Sequence, residues 1–116
     1  MTRGEIWLVD FGVPQGSAAG YRRPAVVLQN DDFNKSNIGT SVVVPLTSNL
    51  ILADYTPNVI IPKKASKLSK DSVAVIPLVT ALDKNSFIEK ISKMPANYLK
   101  MICKGVIEVL ELSESF

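Results

Sequence analysis

Arg23-Pro24-Ala25-Val26-Val27-Leu28-Gln29-Asn30 is a strand-length apolar run with a guanidinium at its mouth, and a second run, Val42-Val43-Val44-Pro45-Leu46, ends in the hydroxyl pair Thr47-Ser48. Short apolar runs rich in β-branched residues and bounded by turn residues read as buried strands. This places strands at Ala25–Gln29 and Ser41–Leu46. Pro45 cannot donate a ladder hydrogen bond, so its strand is expected to lie at an edge there or to carry a bulge that re-aims Thr47. Together the two runs deliver one guanidinium and one hydroxyl in a chain without histidine, which points to a site for phosphate oxygens.

Working outward, Ile6–Val9 reads as the first strand and residues 10–20, with three glycines and Pro14, as a loop too long for a hairpin. Residues 31–39 read as a polar loop with one helical turn. Further strands are expected at Asn58–Ile61, Ser72–Ile76 and Phe87–Ile91. Lys63 to Lys70 is a basic loop or turn whose charges read as a solvated surface. From Pro95 to Leu112 the period changes, with Leu99, Ile102, Val106, Val109 and Leu110 at helical spacing and Pro95 suited to the first turn. The chain is therefore expected to be mainly β, a barrel or sandwich, closed by a C-terminal α-helix. No internal repeat is found.

At 116 residues the chain has room for one domain, spanning residues 1–116. It is 47% hydrophobic and 21% charged, the balance of a globular protein. A net charge of +2 is too small for general coating of a polyanion, so a polyanion must meet a local patch. The lone Cys103 fits a reducing compartment, and the cytoplasm is the expected location. No apolar stretch approaches a membrane span, so no membrane partner is expected. No cofactor or metal is expected: without histidine and with one cysteine, a nitrogen- or sulfur-rich zinc site has no ligands.

The missing histidine also excludes histidine-based ribonuclease and triad chemistry. Arg23, biased to extended backbone by Pro24, presents a planar fork that stays cationic and reaches two phosphate oxygens at once. Taken alone, a surface arginine beside Arg22 more often merely solubilises. Thr47 and Ser48 offer hydroxyls to the same phosphate, although such residues more commonly cap turns. Tyr21 is a candidate for stacking on a base, with edge packing at least as common, whereas Trp7 fits a core position better.

Arg3-Gly4-Glu5-Ile6-Trp7, Gly16-Ser17, the Arg23–Asn30 run, Val43-Val44-Pro45-Leu46-Thr47-Ser48, Lys70-Asp71-Ser72-Val73 and Val79-Thr80-Ala81-Leu82-Asp83-Lys84 form an ordered set covering nearly the whole chain. That set resembles the MazF/PemK toxin family. The resemblance implies an SH3-like or CcdB-like β-barrel with a C-terminal helix, acting as a homodimer. It further implies a sequence-specific, metal-independent endoribonuclease of a type II toxin–antitoxin pair, cleaving single-stranded RNA to 2′,3′-cyclic phosphate and 5′-OH ends and restrained by a MazE-like antitoxin. By the same resemblance the catalytic residues fall on Arg23 and Thr47, which reverses the odds each has alone. RNA contacts are expected at Gln15, Ser17, Tyr21, Arg22, Ser48 and Asn49.

The chain departs from the family in one place: Ala18 stands where many relatives carry glutamate after the Gly-Ser step. Asp10 and Asp31 are candidate substitutes for that carboxylate. Two other functions compete with RNA cleavage. One is a CcdB-like toxin that binds DNA gyrase without breaking a bond, for which the 112–116 tail supplies no obvious anchor. The other is an attenuated RNA-binding relative, which Ala18 makes tolerable.

Overall fold

The computed structural model describes Met1–Leu112; the 113–116 part of the tail lies outside the described residues. Seven strands share one antiparallel sheet system: β1 Glu5–Asp10, β2 Arg22–Val27, β3 Thr40–Thr47, β4 Val59–Ile61, β5 Ser72–Ala74, β6 Thr80–Asp83 and β7 Phe87–Lys93. Their order is β4-β5-β3-β2-β1-β7, with β6 pairing the outer half of β3. Short helices α1 (Asp31–Asn34) and α2 (Lys63–Ser66) sit in connections, and α3 (Ala96–Leu110) closes the chain.

Alternation along the strands gives two cores. One face of the central strands buries Ile6, Val26, Val44 and Leu46 against Ile61, Ile76, Met94 and Ile102 of the following elements. The other buries Val9, Ala25, Val27 and Val43 beneath Trp7, Phe11, Leu82 and Phe87. Successive β side chains point to opposite faces, so a central strand covered on both sides must be apolar throughout. This is why β2 and β3 read as continuous runs.

Several expectations need correction. The second strand begins at Arg22, so both arginines lie in a strand, and it ends at Val27, short of Gln29. Strand β5 stops at Ala74, and residues 76–78 form a 3-10 turn. Strand β6 is additional to the expected set: its residues are mostly exposed, so it lacks the hydrophobic alternation that marks a strand. Of the five apolar residues placed on one helix face, Ile102 is buried and Leu99 and Val106 are half-buried, but Val109 and Leu110 are exposed, Leu110 lining an open apolar cleft with Leu28 and Val42.

Pro45 lies neither at an edge nor at a bulge. The β2–β3 ladder ends at Ala25↔Pro45. Beyond it, β2 stays with β1, where Arg22 faces Asp10, while β3 passes to β5, where Thr47 faces Val73. The Val75 amide donates to the Pro45 carbonyl at 3.1 Å. Pro24 lacks the N–H that would carry the ladder on toward β3, whereas Pro45 turns its backbone toward β5, and the sheet forks there.

Candidate active site

Two clefts open at this fork. Extending the Ala25↔Pro45 register by two residues places Arg23 across from Thr47, on the same face of parting strands. A polar cleft of about 400 Å³ is lined by Tyr21, Arg22, Arg23, Thr47, Ser48 and the 68–72 segment, among others. A second one of about 350 Å³ is lined by Ser17, Ala18, Arg23, Thr47, Asn49 and apolar residues including Leu52, Val75 and Leu78. Arg23, Leu46 and Thr47 belong to both and form the ridge between them.

Arg23 is half-buried, and its Nε donates to the Gly20 carbonyl at 2.9 Å. That bond occupies the Nε donor, and the side chain lines both clefts. Gly20 can serve because a Cβ there would sit 2.4 Å from the Pro14 ring, so no other residue fits against that proline. The loop itself is pinned at its neck, where the Phe11 amide donates to the Tyr21 carbonyl at 2.8 Å. Tyr21 adopts φ 58°, a left-handed conformation that costs a non-glycine residue energy and leaves the ring exposed at the cleft rim.

Thr47 Oγ1 accepts from the Asn49 amide at 3.2 Å, the turn-capping role expected of such a residue. A hydroxyl that accepts in this way keeps its proton to donate. Asn49 in turn caps the 3-10 turn Leu50–Asp54, its Oδ1 accepting from the Ile51 amide at 3.3 Å. The charge-bearing and hydroxyl-bearing residues are thus each anchored by one backbone contact, and both line the same two clefts.

Of the expected RNA contacts, Ser17, Tyr21, Arg22, Ser48 and Asn49 all line one cleft or the other. Gln15 lines neither. A turn in which the Ala18 amide donates to the Gln15 carbonyl at 3.1 Å brings Ala18 and Ala19 to the cleft and leaves the Gln15 side chain in solvent. Ala18 itself stands beside Arg23 and Thr47, where a glutamate would place its carboxylate. Neither proposed substitute does so. Asp10 accepts from the Gly12 amide at 2.8 Å, and Asp31 accepts from the Arg3 amide at 2.8 Å, which holds its carboxyl below the usual range.

Lys70, Asp71 and Ser72 also line the polar cleft. Their signal was the Lys70-Asp71-Ser72-Val73 stretch, but the lysine-rich segment around it reads as solvated surface until β5 is seen to pair with β3. Trp7 stays away from the clefts, half-buried, with its ring edge-on to Phe87 and its Nε1 donating to Glu5.

The family described as the PemK-like, MazF-like toxin of type II toxin–antitoxin systems matches residues 2–110. The chain belongs to this family. Endoribonuclease MazF2 of Mycobacterium bovis is 33% identical over 112 residues, which is 97% of this chain and 98% of that protein. Endoribonuclease MazF of Staphylococcus saprophyticus is 36% identical over 106 residues, covering 91% and 88%. The crystal structure of MazF from Deinococcus radiodurans superposes with a TM-score of 0.82 at 25% identity, over 97% of each chain. A MazE–MazF structure from the same organism follows at 0.78, again at 25% identity and 97% of each chain. The barrel-like fold with a C-terminal helix that the resemblance implied is therefore the fold of this MazF-like toxin.

Proposed function

We propose that this MazF-like toxin is a sequence-specific endoribonuclease whose cleavage centre is Arg23 with Thr47. The observation that carries this reading is their convergence on the ridge between two clefts, both of which they line. Single-stranded RNA lies across the ridge with its scissile phosphate on Arg23. The 2′-OH of the preceding ribose attacks its own phosphodiester in line, giving a 2′,3′-cyclic phosphate and releasing the 5′-oxygen. The 2′-hydroxyl proton passes to solvent and a proton from solvent reaches the leaving oxygen.

Attack within one molecule needs little beyond positioning and charge stabilisation, so two side chains suffice without a metal ion. Arg23 stabilises the charge that builds on the phosphorane, and Thr47 donates to a phosphoryl oxygen. Arginine keeps its proton at any cellular pH, so its role is electrostatic. Cleavage of mRNA in this way stops translation and growth. The toxin works in the cytoplasm as a homodimer, and a MazE-like antitoxin with an acidic, disordered segment covers the clefts. No helix among the described residues is long and apolar enough to cross a membrane.

Incubation of the purified protein with single-stranded RNA in EDTA tests this reading. Fragments with 5′-OH and 2′,3′-cyclic phosphate ends are expected. Intact RNA together with stalled gyrase complexes would overturn it in favour of a gyrase-binding toxin.

A further inference from the structure

Beside the Arg23 and Thr47 pair, one residue further along each strand, stands a second set of the same chemistry. Alternation puts Arg22, Ser48 and Ser72 on the opposite face of the fork from Arg23 and Thr47, and all three line the polar cleft. Extending the Thr47↔Val73 register by one residue sets Ser48 across from Ser72. An independent observation marks this place as a ligand site. Ser72 is 3% exposed, and its Oγ is the one buried side-chain polar atom without a hydrogen-bond partner among the described residues. A buried hydroxyl left unpaired is costly to the fold, on the order of 1–3 kcal/mol, so it is uncommon without a function.

We propose that Arg22, Ser48 and Ser72 form a second phosphate subsite, which takes the phosphodiester next to the scissile one on the same RNA strand. This rests on the reading of Arg23 and Thr47 as the cleavage centre and extends it from one linkage to two. Arg22 is exposed and supplies charge; Ser72, on the cleft floor, supplies a directed hydrogen bond once RNA presses aside the exposed 69–71 turn. Lys70 on that turn adds a second cation. The nucleoside between the two phosphates then sits over Pro24 and Leu46, with Tyr21 at the rim. The RNA is thereby held in register on both sides of one nucleoside, and Ser72 is a binding residue that acts on substrate affinity and leaves the chemical step alone.

The test uses short RNA substrates in which one phosphodiester at a time is replaced by an uncharged methylphosphonate. Ser72→Ala is expected to raise KM about tenfold, the loss of one charge-assisted hydrogen bond, with kcat unchanged. Its melting temperature is expected to stay level or rise, because an unpaired buried polar atom has been removed. Arg22→Gln is expected to raise KM as well and to reduce the salt dependence of binding by about 0.7 in the log–log slope, the value for one phosphate contact on a single strand. Both penalties are expected to vanish on the substrate whose methylphosphonate lies next to the scissile linkage, and on no other. A wild-type KM in Ser72→Ala, or a penalty that persists on every methylphosphonate substrate, overturns the second subsite while leaving the cleavage centre standing. Failure of the wild-type protein to cut any of the unmodified RNAs would instead remove the nuclease reading beneath it.

Discussion

Removal of the Arg23 guanidinium is the perturbation on which the proposed chemistry depends most. The side chain commits its Nε to Gly20 and keeps the Nη edge for substrate, so truncation to alanine removes two charge-assisted donors from a developing phosphorane. Losing one donor of this kind slows a reaction by about 10² to 10³, so Arg23→Ala is expected to lower kcat by about 10³ or more, roughly 4 kcal/mol of transition-state stabilisation. Arg23→Lys keeps the charge but loses both the planar fork and the Gly20 anchor. It is expected to recover only part of the loss, leaving kcat about 10² below wild type. The fold cost is small in both, because the side chain is half-exposed and surrenders one hydrogen bond worth about 1 kcal/mol. The assay is single-turnover cleavage of a short fluorogenic RNA in EDTA, with circular dichroism to show that each variant is folded. Turnover by folded Arg23→Ala within about threefold of wild type would refute the electrostatic role, since that rate corresponds to less than 1 kcal/mol.

Thr47→Ala removes one neutral donor and is expected to slow cleavage by about 10² with native stability, whereas Thr47→Ser keeps the hydroxyl and is expected to stay within about tenfold of wild type; equal losses in the two would tie the effect to the β-branch instead. Ala18→Glu places a carboxylate beside Arg23 and Thr47 and is expected to raise the single-turnover rate by about tenfold; no gain would make that position dispensable in this chain. Glu5 supplies an acid-stability test. Burial raises its pKa, but hydrogen bonds from the Trp7 indole and the Thr2 amide and the Lys90 ammonium at 3.0 Å more than offset this and bring it from 4.5 to about 2. A depressed carboxyl stabilises the fold above its unfolded pKa, so its contribution of about 3 kcal/mol is complete above pH 4.5 and disappears as pH falls toward 2. In urea unfolding, Glu5→Gln is expected to lower stability at pH 7 and to flatten the decline between pH 4.5 and 2; parallel pH profiles for the two proteins would exclude that source.

The strands at Val26 and Val44 were legible because both of their faces are buried, and a run of that length with no polar interruption fits a doubly covered strand better than any half-exposed element. The helix at 96–110 was legible through its period and through Pro95. Strand β6 was not, because an exposed strand that pairs along only one flank needs no apolar residues to exist. Gln15 looked equivalent to Ser17 in the loop, and only the turn from Gln15 to Ala18 separates a side chain in the cleft from one in solvent. The unpaired Ser72 hydroxyl carries no sign in sequence, since burial and the lack of a partner are properties of the folded surroundings.

What the chain's residues determined unaided was chemical. They set which groups exist to act on a phosphate, excluded histidine and thiol-rich chemistry, and set the strand-length runs that deliver an arginine and a threonine. The tertiary structure alone decided where those groups meet. The β2–β3 ladder ends at Pro45, the strands take different neighbours, and residues 24 positions apart in the chain come to share a cleft. Proximity of that kind depends on which neighbour each strand takes beyond the fork, and that pairing joins segments distant in the chain, so neither strand's own sequence displays it.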